Sequence, residues 1–103
     1  MVNVRIYLKQ EHNAKELVQL LLENKLIASA SIDQNNVLYN LENNEVTEHI
    51  YTVITSQSKS LLFKDIVEKV ESHLGEQPPI HCTPIVASNK VFDDSIRSKT
   101  KKI

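Results

Sequence analysis

His73-Leu-Gly-Glu-Gln-Pro-Pro-Ile-His-Cys-Thr-Pro-Ile85 holds the chain's only glycine (Gly75), its only cysteine (Cys82), all three prolines (Pro78, Pro79, Pro84) and two of its four histidines (His73, His81). The stretch reads as a helix stop at Gly75, a stiff extended turn at Pro78-Pro79, and re-entry into a strand at Ile80. Upstream of the stop, Leu62, Ile66 and Val70 recur on one stripe with Phe63, Val67 and Leu74 beside it, which predicts an amphipathic helix starting near Ser58 or Ser60. Downstream, Ile80 to Ala87 predicts a strand, and Val91 to Ser98 a short closing helix capped by Asn89 or Asp93.

Further out, Val2, Val4, Ile6 and Leu8 alternate with polar neighbours at the period of a half-buried strand. Asn13 followed by Glu16 gives a capping-type start, and Ala14, Leu17, Val18, Leu21 and Leu22 recur at helical spacing up to Asn24. Leu26 to Ile32 is strand-like, Asp33-Gln-Asn-Asn36 interrupts it, and Val37 to Tyr39 resumes it, as expected of one long, kinked or bulged strand. Glu42-Asn-Asn-Glu45 supplies a turn, and the chain returns along Val46 to Ser56. The order is strand, helix, strand, strand, helix, strand. It predicts one α+β domain over residues 1–103 of the ferredoxin-like, split βαβ kind (βαββαβ), with a long hairpin between strands two and three. Helices rise only about 1.5 Å per residue against about 3.3 Å for strands, so two four-turn helices cannot cover such a hairpin. Val37, Leu38, Tyr39, Leu41 and Val46 then form an apolar arm, which predicts an oligomer.

A chain of 103 residues with 41% hydrophobic and 24% charged residues builds a single core rather than a disordered or disulfide-stapled chain. One cysteine forms no internal disulfide, and no long apolar run is present, so the expectation is a cytoplasmic protein without a membrane role. Four of the twelve basic residues, Arg97, Lys99, Lys101 and Lys102, follow all thirteen acidic ones, leaving eight against thirteen before them. That acidic body offers no footprint for nucleic acid. Chemistries known on this topology lack their residues: Lys9 to Asn13 contains no Cys-x-x-Cys for a copper chaperone, and one glycine cannot build a phosphate cradle around Arg5. Tyr7 and Tyr51 lack the glycine-rich aromatic context of an RNA-stacking sheet.

With the elements in place, the residues resemble the CutA family of divalent-cation tolerance proteins over nearly the whole chain. Glu16-Leu-Val and Leu22-Glu-Asn-Lys-Leu-Ile-Ala-Ser-Ala-Ser-Ile32 look like that family's helix end and second strand, and Tyr39 sits at its hairpin tyrosine. His73-Leu-Gly-Glu-Gln-Pro-Pro-Ile80 is similar to its His-Pro-Tyr-Glu-Val-Pro-Glu-Ile signature, followed by a matching Pro84-Ile85, with Phe92 and Ile96 at its C-terminal apolar positions. The chain departs from the pattern at Ser29, where cysteine is usual, at Leu41 and Ser95, where tryptophan is common, and near the usual hairpin glycine, where Asn43 stands. Leu74-Gly75 replaces Pro-Tyr. The resemblance implies a homotrimer whose hairpin and C-terminal segment cross between subunits, a non-enzymatic role in metal tolerance, and copper or another divalent cation as ligand.

Metal donors are sought among His73, Glu76 and Cys82, since imidazole, carboxylate and thiolate suit borderline cations. Each also has a structural reading. Cys82 is expected to be a small buried hydrophobe, His73 to cap a helix C-terminus, and Glu76 to accept a hydrogen bond from His73 or from another subunit. His81 and Cys82, adjacent on a strand, point to opposite faces and so share neither an ion nor a nucleophilic pair. His12 and His49 fall at element boundaries and are expected to face solvent. A second reading keeps the architecture but changes the class: a PII-like signalling or interaction scaffold that binds a small anionic ligand or a partner at the inter-subunit cleft.

Overall fold

The computed structural model describes residues 1–102. Strand β1 (Val2–Lys9) leads to helix α1 (Ala14–Glu23), strands β2 (Ser29–Glu42) and β3 (Glu45–Ser58), helix α2 (Phe63–Leu74), strand β4 (Ile80–Pro84) and helix α3 (Lys90–Lys99). The sheet is antiparallel throughout in the order β2-β3-β1-β4, so β2 and β4 are its edges. This is the α+β, ferredoxin-like arrangement the element order requires.

Local chemistry sets the boundaries. The Asn13 side chain accepts the Glu16 amide at 3.0 Å to start α1, and Asn89 does the same for Phe92 at 3.0 Å to start α3. Gly75 ends α2 at φ 76°, where a side chain is strained, and Asn43 and Asn44 take φ 51° and 63° in the two-residue hairpin turn. Two strands are shorter than the sequence predicts. β2 starts at Ser29 because Leu26, Ile27 and Ala28 turn inward and are almost wholly buried in the preceding connection. β4 stops at Pro84 rather than Ala87 because its partner β1 begins there: Pro84 pairs with Val2, and the Ile85 amide takes the last carbonyl, that of Met1, at 2.9 Å.

The core lies between one face of the sheet and helices α1 and α2. Val4, Ile6, Leu8 and Ile54 from the sheet meet Leu17 and Leu21 of α1 and Ile66 and Val70 of α2, all without exposed surface. Two polar groups are buried with them and bonded: the Ser56 hydroxyl donates to the Val4 carbonyl at 3.1 Å, and the Ser58 hydroxyl donates to that of Leu26 at 2.5 Å.

The hairpin outruns this core. Ten-residue α1 and twelve-residue α2 extend about 15 and 18 Å, whereas a strand of fourteen residues extends about 46 Å. The ladder also changes step within β2. Asp33 pairs with Val53 but Asn36 with Tyr51, so Gln34 and Asn35 stand opposite Thr52 alone. That extra residue inverts the parity of β2, and Val37, Tyr39 and Leu41 join Ile32, Val46 and Ile50 on the helix-facing side. There they are 37% to 72% exposed, an apolar stripe with no helix above it. Among the described residues no helix is long and apolar enough to cross a membrane.

Truncation of Ile66 to alanine should cost about 2–5 kcal/mol of stability in urea unfolding, and Gly75→Ala about 1–2 kcal/mol through its left-handed backbone. A loss below about 1 kcal/mol for Ile66→Ala would contradict the placement of the core.

Candidate functional site

Sheet order brings the ends of the sequence's most specified stretch against β1. Ile80 pairs with Ile6, and the Tyr7 amide donates to the Pro79 carbonyl at 3.0 Å. Carried one turn further, that antiparallel register sets the residues before Pro78 beside those after Leu8. Accordingly Glu76 Oε1 lies 3.2 Å from Lys9 Nζ and 3.7 Å from His12 Nε2. His73, in the last turn of α2, instead reaches across to α1, its Nε2 3.4 Å from Glu16 Oε1. Gln77 donates back to Glu71 at 2.9 Å and fixes the turn against α2.

These contacts revise two expectations. His73 and Glu76, three residues apart, do not share a hydrogen bond, because Gly75 reverses the chain between them and each finds a charge from a different element. His12 does not face solvent: its side chain is only 16% exposed, and Nε2 is buried without a hydrogen-bond partner. His49 lies within β3 rather than at its boundary, partly exposed, with Nε2 2.9 Å from Glu42 Oε1 across the hairpin.

At the edge strand, the expected division of His81 and Cys82 holds. His81 pairs with Arg5 on the open face of the sheet, where Tyr7 stacks on it at 5.6 Å between ring centres and the phenol oxygen lies 3.0 Å from Nε2. Cys82 pairs with Val4 and so faces the helices, yet it is exposed rather than buried. Its strand is the sheet edge and carries it beyond the cover of α2. Among the described residues no group of three or more His, Cys, Asp or Glu side chains is placed to hold a metal ion. Within one chain, then, His73, Glu76 and Cys82 do not converge.

The junction of β1, α1 and the α2–β4 turn is electrostatic. The hydrogen bond and charge of Lys9 hold the Glu76 carboxyl below its ordinary range, and Glu76 holds the Lys9 ammonium above its own. Lys9 and His12 carry no motif in the sequence. The only signal for them is the strand topology, whose antiparallel β1–β4 pairing aligns Glu76 with the end of β1.

A lowered carboxyl contributes stability that is present above its unfolded value near 4.5 and disappears as pH falls through the folded value. Glu76→Gln is therefore expected to be slightly less stable than the parent at neutral pH, with the gap closing in acid. A gap that persists or widens below that range in paired denaturation curves would rule out the Lys9–Glu76 contact as its source.

Comparison with known proteins follows the same outline. A family model described as CutA1 divalent ion tolerance protein matches residues 2–99. Among solved structures, a divalent cation tolerance protein from Thermus thermophilus superposes with a TM-score of 0.85 at 24% identity, covering 98% of this chain and 100% of that one. CutA1 from Oryza sativa gives 0.87 at 16% identity, covering 99% and 94% of the two chains. A periplasmic divalent cation tolerance protein, CutA from Archaeoglobus fulgidus, gives 0.84 at 21% identity, covering 98% and 100%. Comparison with curated protein sequences returns no match.

Proposed function

Because the chain belongs to the CutA1 divalent ion tolerance family, whose model matches residues 2–99, we propose that it works as a non-enzymatic homotrimer that takes up copper or another divalent cation in the cytoplasm. The family match carries the metal reading. The uncovered stripe from Val37 to Ile50 supports assembly, since contiguous apolar surface of this kind tends to be closed by another subunit. The single cysteine, left unpaired, suits a reducing compartment.

Donor chemistry limits where the cation goes. Cys82 offers an exposed thiol at a sheet edge, while His73 and Glu76 are each engaged by one opposite charge within the chain. A single imidazole or thiol is too small a ligand set for a structural tetrahedral site. In this reading His73, Glu76 and Cys82 act as donors only when completed by groups from a neighbouring subunit, and affinity is modest because the Lys9–Glu76 and Glu16–His73 pairs must open first.

Calorimetric titration of the parent protein with copper or zinc is expected to show uptake that weakens in His73→Ala and in Cys82→Ser. Uptake unchanged in both variants would move the cation elsewhere, and no uptake by the parent would remove metal binding from the function.

A further inference from the structure

We infer that the hollow between the β1–α1 turn and the β2 bulge is a binding site for a small organic monocarboxylate bearing a hydroxyl or carbonyl group. The bulge creates the space: Gln34 and Asn35 stand outside the ladder opposite Thr52, and together with Gln10, His12 and Lys15 they line a cavity of about 330 Å³. Its chemistry differs from that of the surrounding surface. No acidic side chain lines it, although the chain as a whole carries thirteen acidic residues, and Lys15 provides one formal cation.

Four primary amides, those of Gln10, Asn13, Gln34 and Asn35, line it with the Thr52 hydroxyl around that cation. Although the Asn13 oxygen is taken by the Glu16 amide, the rest supply donors and acceptors that suit a carboxylate and a neighbouring oxygen rather than an apolar ligand. The His12 ring forms part of the wall, and its buried Nε2 has no hydrogen bond to lose if the ring turns toward a bound oxygen. A single charge is favoured over two. Only one lysine faces the cavity, no arginine offers a bidentate fork for phosphate, and the Glu76 carboxylate stands behind His12. All its lining residues come from one chain, and of the donors proposed for metal only Glu76 approaches it, 3.7 Å from His12 Nε2.

The test is an NMR titration of the full-length chain, labelled with nitrogen-15 and kept in chelator, with lactate, acetate and inorganic phosphate in separate arms. Lactate is expected to shift the side-chain amides of Gln34 and Asn35 and the backbone of residues 10–15 saturably, and more tightly than acetate or phosphate. Lys15→Gln should weaken lactate about tenfold, the equivalent of roughly 1.4 kcal/mol. Asn35→Asp should weaken it as well by placing a like charge at the mouth, and Lys69→Gln, which lines a different hollow, should leave it unchanged. Absence of saturable shifts up to about 10 mM lactate, where any affinity of roughly millimolar strength would register, would overturn the site. So would equal binding of phosphate, or lactate binding indifferent to both Lys15→Gln and Asn35→Asp.

Discussion

One extra residue in β2 governs which way half of this protein faces. Because side chains alternate along a strand, a ladder continued in step from Ile32 would have put Val37, Tyr39 and Leu41 on the opposite side from Val46 and Ile50. The bulge at Gln34 and Asn35 resets the parity, and the apolar residues of both strands gather on the side where α1 and α2 pack. The helices are too short to reach them. The result is a continuous apolar surface, filled by the core at one end and bare at the other.

That division organises the remaining features. The covered half has fully buried aliphatic residues and bonded serine hydroxyls, as a stable core requires. The bare half is apolar surface that the chain's own helices do not reach, of the kind that tends to be covered by a partner. Between the two lies the bulge itself, where the unpaired residues open a polar hollow beside the β1–α1 turn. Charge pairs from Lys9, Glu76, His73 and Glu16 then tie that turn and α1 to the end of α2 and the connection after it.

What the sequence made legible was local or periodic. Asn13, Asn89 and Gly75 act through their own backbone neighbours, and the strand and helix periods survive any tertiary context that buries one face. Even the Asp33 to Asn36 interruption announced a kink or bulge, since four polar residues break the strand pattern there, and the ladder shows it to be a bulge. Contacts between distant elements were harder to see. The partners of Glu76 depend on the β1–β4 register, and His73 finds Glu16 because α1 and α2 lie side by side. Cys82 has the sequence character of a buried residue, and only the strand order, which puts β4 at the edge, exposes it. For Cys82, adjacency to His81 predicted opposite faces of the sheet, but not that its own face was left uncovered there.

The central claim is that the apolar stripe of the hairpin is closed by other copies of the same chain. Sedimentation equilibrium of the parent protein at micromolar concentration measures this directly. The account predicts a particle of three times the 11.8 kDa chain mass, whereas a monomer at that concentration would contradict it.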